Sequence, residues 1–534
     1  MSRGSKKPSL DRAASGARAE FDLLVLGSGI AGISAAITAA EAGLSVGLLS
    51  KEADAFDSNT GWAQGGIVGV SPEDSPELLA TDIRYAGAGA NFADAVNLTV
   101  NEGPQLVHDF LAGRVAVPFS RDKSGALELT REAAHSVRRI YYAKDSTGAA
   151  IQRALLTYLA KTAGVTLLTG HTAIDLITNT HNSADIQERY RRTKVLGVYA
   201  HCDEAGCVRT LLARSVILAT GGPGNLFRHT SNPDGATGDG VAMAYRIGAE
   251  VIDARYVQFH PTVLFHRDSR QFLITEALRG EGARLLNHSG ERFVLRYHPD
   301  GELAPRDEVA RAIYREMEQE NTDYVHLDAT VVDIDLKKRF PAIFEHCKAL
   351  GIDIRKQPIP VVPAAHYFCG GVKVDLDGRT SIDGLFAAGE TACSGVHGAN
   401  RLASISLLEG LLWGVRCGRT VAAALPDADA RLNATIPDWV EPTHPEEFDP
   451  VLVRQDQSTI QSTMWNYAGI IRSRKRLLRA LADLDYLSHR IEQFYRSATL
   501  TRQIIELRNS VLTASIIVGD ALAHPESSGC HYVE

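Results

Sequence analysis

The chain has 534 residues, 45% of them hydrophobic, so we expect two or three domains. Its net charge of −8 argues against a nucleic-acid surface, and no apolar run approaches the length of a membrane span. Seven cysteines in no framework spacing indicate a reducing compartment, and the cytoplasm is the expected location. Residues 1–20 are polar and lack the apolar stretch of a secretory signal. We predict a disordered tail there, with a short organelle-transit peptide as the alternative.

The first motif is a strand, a glycine-rich turn and a helix within residues 21–36. The apolar run Leu23–Leu26 predicts a buried strand, and Gly27, Gly29 and Gly32 follow it with the spacing GxGxxG. The glycines permit a tight turn, a close approach of the backbone to a pyrophosphate, and close packing of the next helix. The free N–H groups of that helix start attract phosphate. This context predicts dinucleotide binding.

A second strand is predicted at Ser45–Leu49. A polar residue directly after it usually contacts the adenosine ribose, and both Lys51 and Glu52 qualify. The segment SNTGWAQGGI at 58–67 is too rich in glycine for a helix interior. We interpret it as a loop or helix start that lies against a ligand.

The middle of the chain alternates between strands and helices. We predict a helix at 151–163, a strand at 165–168 and a polar, irregular excursion at 178–194. Cys202 and Cys207 flank a turn that we interpret as a hairpin tip, not as a metal site.

Two further buried strands end in glycines, at 215–222 and 384–390. Between them ATGDG starts a helix, where the carboxylate of Asp239 could take a ribityl hydroxyl. The glycine loop 394–400 leads into a helix that we expect to begin at Arg401.

The predicted fold class is α/β, with a Rossmann-like dinucleotide-binding domain, an inserted α+β domain and a C-terminal helical domain. The predicted boundaries are a tail at 1–20, the dinucleotide-binding domain at 21–250 and 347–426, the inserted domain at 251–346, a linker at 427–450 and the helical domain at 451–534.

Arg306 occupies an unusual position. Pro305 suits the first position of a helix, which puts Arg306 in the first turn, where a cation is unfavourable. Asp307 and Glu308 are the residues that a helix start prefers. The misplaced charge indicates that Arg306 serves a site and not the helix.

The ordered motifs of the chain resemble those of the succinate dehydrogenase/fumarate reductase flavoprotein family, most closely those of its aspartate-oxidising members. The resemblance covers nearly all of the chain after residue 20. It rests on the segments VLGSGIAG, WAQGGI, ATGG, ATGDG, QFHPT, EALRGEGA, PRDEVARAI, VPAAHY, LFAAGE and GANRLAS. It implies that the first domain is an FAD-binding domain, that the inserted α+β domain is a capping domain that closes over the flavin, and that a dicarboxylate binds where the two domains meet.

By position, the resemblance assigns the pyrophosphate to 28–31 and the adenosine end to Lys51. Ser406 and Leu407 are expected near the flavin pyrimidine, at a helix start whose dipole stabilises negative charge. The residues expected to contact FAD are Gly27, Ser28, Gly29, Ile30, Ala31, Gly32, Lys51, Asn59, Thr60, Gly61, Trp62, Ala63, Gln64, Gly65, Gly66, Asp239, Glu390, Ser406 and Leu407.

A four-carbon dicarboxylate needs cationic or hydrogen-bonding clamps, because its carboxylates lose water near the flavin. The resemblance implies that Arg401, His366, His260 and Thr275 bind this substrate and that Arg306 donates a proton during fumarate reduction. A substrate ammonium needs a carboxylate partner, and Glu132, in TREAAHS, is the candidate.

The implied activity is oxidation of L-aspartate to iminoaspartate, with oxygen or fumarate reoxidising the FAD. This reaction would be the first step of de novo NAD synthesis, with iminoaspartate passing to quinolinate synthase.

One alternative is a fumarate reductase or succinate dehydrogenase flavoprotein subunit. Those subunits usually carry a covalently flavinylated histidine in SHT, whereas this chain has Asn59 there, which predicts non-covalent FAD. Another alternative is a non-catalytic FAD-binding protein, which the retained Arg306 and Arg401 argue against. The chain departs from the pattern of the aspartate-oxidising members at Ala133, Ala134, Ile405 and Ser528, where Gly, Gly, Asn and Arg are usual.

Overall fold

The computed structural model describes residues 18–132, 134–269, 272–424, 435–447 and 449–534. Most of the predicted tail, part of the predicted linker and Ala133 lie outside the described residues. The strands are β1 (Ala19–Leu26), β2 (Val46–Leu49), β3 (Ile67–Val68), β4 (Leu129–Thr130), β5 (Ile140–Tyr141), β6 (Val165–Leu168), β7 (His171–Thr178), β8 (Val195–Cys202), β9 (Cys207–Leu218), β10 (Val251–Ile252), β11 (Val257–Leu264), β12 (Arg284–Leu286), β13 (Val325–Asp328), β14 (Ile359–Phe368), β15 (Gly371–Lys373), β16 (Leu385–Ala387) and β17 (Ala392–Cys393).

Helices lie between many of these strands along the chain, and the last four helices follow the final strand. They are α1 (Ile30–Glu41), α2 (Asn59–Trp62), α3 (Pro76–Ala86), α4 (Ala93–Leu106), α5 (Thr147–Leu159), α6 (Asn179–Asn182), α7 (Asp239–Arg246), α8 (Glu276–Gly280), α9 (Arg306–Glu320), α10 (Leu336–Arg339), α11 (Pro341–Ala349), α12 (Ser406–Ala424), α13 (Pro450–Ala468), α14 (Arg474–Ser497) and α15 (Arg502–Ala523).

A seven-stranded sheet forms the centre of the first domain. Its order is β6-β2-β1-β9-β8-β7, and β16 also pairs with β9. The strands β6, β2, β1, β9 and β16 run parallel, while β8 is antiparallel to both β7 and β9. The α/β class is thereby confirmed, and the carboxyl ends of the parallel strands meet at one edge, where ligands bind in such sheets.

The predicted strand–turn–helix at the start of the chain is confirmed. Gly27 has φ +116, and a Cβ there would lie 2.1 Å from the Ala219 carbonyl oxygen. A Cβ at Gly32 would lie 1.9 Å from the Gly27 carbonyl oxygen. No residue larger than glycine fits these two positions, so the turn and the packing of α1 depend on them.

A second core belongs to a four-stranded sheet of order β11-β14-β13-β12, whose neighbouring strands are all antiparallel. Buried residues of α9, among them Val309 and Ile313, pack in the same core. This is the predicted capping region, but β14 lies beyond the predicted boundary at 346. The sheet is completed by a strand that the sequence assigned to the FAD-binding domain.

Three long helices, α13 to α15, form the predicted helical end of the chain. Each has a polar side-chain cap at its start, from Asp449, Ser473 and Thr501. Among the described residues, no helix combines the length and apolar composition needed to cross a bilayer.

The predictions differ from the structure in two local places. The helix expected from Arg401 begins only at Ser406, because Ser404 has φ +61 and a left-handed residue cannot continue an α-helix. The predicted irregular segment 178–194 includes the short helix α6 and a 3₁₀ turn. The hairpin tip is confirmed, since Cys202 pairs with Cys207 across β8 and β9.

Candidate functional site

One cavity of about 680 Å³ runs from the glycine turn to the capping sheet. All of the residues expected to bind the cofactor line it except Gly32, which packs beneath the turn. The residues expected to bind substrate line it as well; they are Glu132, His260, Thr275, Arg306, His366 and Arg401. The sequence therefore selected residues from at least seven separate segments that the fold brings to one cavity.

The pyrophosphate end is built by the start of α1 and by α2. The Ile30 N–H donates to the Thr60 hydroxyl over 3.0 Å, and the Gln152 amide donates to the Ser28 carbonyl over 2.7 Å. A Cβ at Gly29 would lie 3.2 Å from the same Thr60 hydroxyl. These contacts hold a glycine turn whose backbone a phosphate group can approach closely, so the residues present fit a dinucleotide.

Lys51 and Asp239 form an ion pair, with 2.6 Å between Nζ and Oδ2. Burial opposes the charge on Lys51, but Asp239 and Glu506 outweigh it and raise the pKa of Lys51. The sequence puts Lys51 at the adenosine end and Asp239 at the ribityl chain, whereas the structure joins them. Lys51 is the second residue after β2, where such folds contact the adenosine ribose, so the ion pair puts Asp239 beside that part of the cavity.

Glu390 lines the cavity and is held by groups from two other segments. Its carboxylate accepts hydrogen bonds from the Asn59 amide at 2.7 Å and the Phe368 N–H at 3.0 Å. Burial raises the pKa of Glu390 to about 7. A Cβ at Gly222 would lie 2.3 Å from a Glu390 oxygen, so the second glycine of ATGG makes room for this carboxyl.

His260 and His366 lie beside each other, with ring centroids 5.1 Å apart. The Thr262 N–H donates to Nδ1 of His260 over 3.2 Å, so a neutral His260 carries its proton on Nε2. Ser231 lies 2.7 Å from Nδ1 of His366. Burial, followed by the nearby arginines, lowers the pKa of both histidines well below its usual value. Both rings are therefore neutral hydrogen-bonding groups at neutral pH.

Arg306 is the first residue of α9 and contacts Glu276, at 2.6 Å from Nε to Oε2. The expected first-turn position is confirmed, although Pro305 precedes the helix and is not its first residue. Burial would raise the pKa of Glu276, but Arg306 and Arg279 outweigh it and lower that pKa. Arg279 is fully buried and lies 3.8 Å from Glu276. The carboxylate thus lies between two guanidinium groups.

Arg401 is buried against the ring of Tyr367, 4.6 Å from its centroid, and donates to the Ser406 hydroxyl over 2.9 Å. Gln258 links the two site arginines, because its Oε1 lies 3.3 Å from Arg401 Nε and 3.4 Å from an Arg306 nitrogen. The sequence analysis did not select Gln258. One signal was available in the sequence: Gln258 and His260 are two residues apart on one strand, so their side chains share a face of the sheet.

Glu132 lies where three loops meet. The Ser404 hydroxyl donates to its carboxylate over 2.8 Å, and a Cβ at Gly65 would lie 3.0 Å from a Glu132 oxygen. Burial raises the pKa of Glu132 more than Arg306 lowers it. Two residues further, Ala134 has φ +63, a conformation that favours the glycine usual there. The chain thus keeps the Glu132 carboxylate of the family pattern but not the glycines that usually follow it.

Thr275 caps the short helix α8 through its side chain, which puts its hydroxyl at the cavity beside Glu276. Ile405, where asparagine is usual, is fully buried in the apolar core. Ser528 pairs with His531 in a turn near the C-terminus. The structure offers no account of why arginine is replaced there.

Comparison with known proteins agrees with this geometry. The family model described as FAD binding domain matches residues 22–407, and the model described as fumarate reductase flavoprotein C-term matches 457–534. The cofactor of the cavity is accordingly FAD.

The L-aspartate oxidase of Pseudomonas aeruginosa is 42% identical over 522 residues, covering 96% of this chain and 95% of that protein. The L-aspartate oxidase of Halobacterium salinarum is also 42% identical, with 96% of each chain covered. A quinol fumarate reductase structure from E. coli superposes with a TM-score of 0.85 at 29% identity, covering 97% of this chain and 91% of that one. The chain belongs to the L-aspartate oxidase family of FAD-binding flavoproteins.

Proposed function

We propose that this chain oxidises L-aspartate to iminoaspartate, using FAD as the two-electron acceptor. The substrate Cα–H bond breaks with its electron pair, the amino nitrogen loses a proton, and a C=N bond forms. Oxygen or fumarate then takes the two electrons. The observation that carries the proposal is that Arg306, Arg401, two neutral histidines and Glu132 line the same cavity, with Arg401 and His260 buried.

Arg401 and Arg306 clamp the two substrate carboxylates. A guanidinium can donate two parallel hydrogen bonds to a carboxylate, and burial strengthens such bonds. The Tyr367 ring and Gln258 hold Arg401 in place, so its fork is fixed before substrate arrives. His260, His366 and Thr275 supply the remaining donors, because both histidines are neutral.

Glu132 accepts the substrate ammonium. Among the described contacts its carboxylate accepts from the Ser404 hydroxyl and has no arginine ion pair, whereas Glu276 is bound to Arg306. Glu390, which also has no arginine ion pair among the described contacts, is already held by Asn59 and the Phe368 N–H. Succinate and fumarate have no ammonium, so Glu132 distinguishes aspartate from them. The ammonium of aspartate must lose a proton before the C=N bond can form. The Glu132 carboxylate, next to that ammonium, receives the proton.

Arg306 donates a proton when fumarate is the acceptor. An arginine holds its proton tightly, so this role needs a neighbouring group that replaces the proton after transfer. Glu276 contacts Arg306 directly and can return a proton, and Arg279 lies on its far side. FAD supplies the redox chemistry, and these side chains bind, orient and move protons.

FAD is held without a covalent bond in this account. Asn59 occupies the position where covalent members of the superfamily usually carry histidine, and its amide is engaged with Glu390. An amide has no nucleophilic ring nitrogen, so no linkage can form there.

The test is product formation by the purified holoprotein in air. L-aspartate should yield hydrogen peroxide together with ammonia and oxaloacetate, the hydrolysis products of iminoaspartate. Succinate should yield none of the nitrogen-containing product and far less peroxide. Equal amounts of peroxide from the two substrates would favour the second candidate, a fumarate reductase flavoprotein. The superposition on a quinol fumarate reductase structure, with a TM-score of 0.85, supports that candidate.

The wider setting follows from this chemistry. Iminoaspartate hydrolyses readily, so an enzyme that consumes it promptly is needed, and quinolinate synthase of the NAD pathway is the proposed recipient. The seven free cysteines, six of them buried, suit a reducing compartment such as the cytoplasm.

A further inference from the structure

The C-terminal helical domain contacts the adenosine end of the FAD cavity. The Asn509 amide on α15 donates to Asp239 over 2.9 Å, and the Thr513 hydroxyl donates to the Gly238 carbonyl over 3.2 Å. A Cβ at Gly238 would lie 2.8 Å from the Thr513 side chain. The helix α15 therefore packs directly on the turn that starts α7 and carries Asp239.

Glu506, one turn earlier on α15, joins two cations. Its Oε1 lies 2.9 Å from Lys51 Nζ and 3.0 Å from Arg502 Nε. Arg502 in turn donates to the Lys51 carbonyl over 3.1 Å and to Glu52 over 2.8 Å. The side chains of Lys51 and Glu506 are only 17% and 15% exposed, so water screens this cluster weakly.

All three donors of the Lys51 ammonium have protein partners. They are Asp239, Glu506 and Thr237. Lys51, Glu52 and Asp239 line the cavity, and Glu506 lies behind them. Contacts from Glu506 and Asn509 of α15 therefore orient the Lys51 and Asp239 side chains at the cavity.

We infer that Glu506 is a positioning residue for the adenosine half of FAD, acting through Lys51, and that α15 is part of the cofactor site. Glu506 holds the ammonium and the Arg502 guanidinium at one carboxylate oxygen. Without its charge, Lys51 keeps Asp239 as its one carboxylate partner, and Arg502 keeps only Glu52 and the Lys51 carbonyl. Both groups then gain freedom that FAD binding must remove.

The test compares FAD with FMN, which has the flavin and ribityl chain but no adenosine half. Apoprotein carrying Glu506→Gln, a change of charge at nearly constant shape, is titrated with each ligand. The dissociation constant for FAD should rise about tenfold to a hundredfold, the loss of one charge-assisted hydrogen bond. The constant for FMN should stay within twofold of the unchanged protein.

The control variant is Glu492→Gln on α14. Glu492 also pairs with two arginines, Arg496 at 3.0 Å and Arg508 at 3.1 Å, but it has no contact with Lys51 or Asp239 among the described residues. It should leave both dissociation constants unchanged. A parallel loss of FAD and FMN affinity in Glu506→Gln would indicate a general structural role and overturn the inference, as would an unchanged or tighter FAD affinity.

A second measurement uses the unchanged protein and does not depend on how the variant folds. Hydrogen exchange of α15 amides should slow when the apoprotein binds FAD, because the cluster then loses mobility. FMN should leave the exchange of α15 unaltered. Exchange in α15 that is the same with and without FAD would contradict the inference.

Discussion

The Ser404 hydroxyl donates a 2.8 Å hydrogen bond to the Glu132 carboxylate across 272 residues of sequence. Ser404 adopts φ +61, so its backbone is strained at the point where this bond forms. The same loop carries Arg401 at one end and the start of α12 at the other. The proposed ammonium partner is therefore tied to the segment that carries Arg401, the proposed carboxylate clamp.

Replacing Glu132 should separate aspartate oxidation from fumarate reduction. Glu132→Gln removes the charge that pairs with the ammonium but keeps the size of the side chain. We expect kcat/KM for aspartate to fall about tenfold to a hundredfold, since a hydrogen bond to a charged group contributes roughly 1.5–3 kcal/mol. Reduction of fumarate by the pre-reduced protein should change little. Equal losses in the two assays would refute selective recognition of the ammonium.

The bond from Ser404 should appear in the pH dependence of aspartate oxidation. Glu132 accepts the ammonium only when ionised, so activity falls as the pH drops through its pKa, which burial already raises. Ser404→Ala removes a donor that favours the ionised form and should move this acid limb to higher pH. Ser404→Gly should give the same shift with less backbone strain. An acid limb identical to that of the unchanged protein in both variants would exclude this role.

The linkage of FAD can be read directly from a denatured sample. Because Asn59 offers no nucleophile, acid precipitation should give a colourless pellet and a yellow supernatant. Asn59→His, which restores the usual residue of covalent members, is the informative companion variant. A yellow pellet from the unchanged protein would contradict the non-covalent account.

The conformation of Ala134 makes a prediction about stability. A non-glycine residue in the left-handed region costs roughly 1–2 kcal/mol relative to glycine. Ala134→Gly should therefore leave the free energy of unfolding unchanged or raise it by about 1 kcal/mol, although glycine normally destabilises. Denaturant titration measures this change. Ala88, which also has a positive φ, provides a second site at which Ala→Gly should behave in the same way.

Arg306 is tested by two substitutions. Arg306→Lys keeps the charge, but the flexible lysine ammonium cannot bond to Glu276 and to a substrate carboxylate at the same time in the geometry of a guanidinium. Arg306→Leu removes proton donation, which contributes roughly 10²–10⁴ in rate. Both variants should retain FAD, because Arg306 belongs to the capping domain and is not one of the residues expected to contact FAD. Stopped-flow reoxidation of reduced protein by fumarate is the measurement, and near-normal rates in Arg306→Leu would remove Arg306 from the mechanism.

Local sequence patterns predicted those parts of the fold, and those cavity-lining residues, that depend on a single segment. The GxGxxG turn, the position of Arg306 at a helix start and the buried strands each have a signature within about 16 residues. The family resemblance then assigned residues that no local pattern could bring together. Local patterns and motif resemblance each assign a structure or a role to one segment at a time, and neither predicts contacts between segments.

The differences from the sequence analysis arise from contacts between distant segments. Neither periodicity nor spacing could show that Asp239 pairs with Lys51, that β14 completes the capping sheet, or that α15 reaches the cofactor. The start of α12 was misplaced because the left-handed conformation of Ser404 is imposed by its surroundings and not by its own preference. Gln258 was passed over because a glutamine suggests a solvated side chain until its two arginine partners are known.

The most direct test of aspartate oxidation follows the colour of the bound flavin without oxygen. Holoprotein is mixed anaerobically with L-aspartate, and in a separate sample with succinate at the same concentration. The account predicts rapid and complete bleaching by aspartate and slow or negligible bleaching by succinate, with the difference abolished in Glu132→Gln. Bleaching by succinate at the rate seen with aspartate, or none with aspartate, would contradict it.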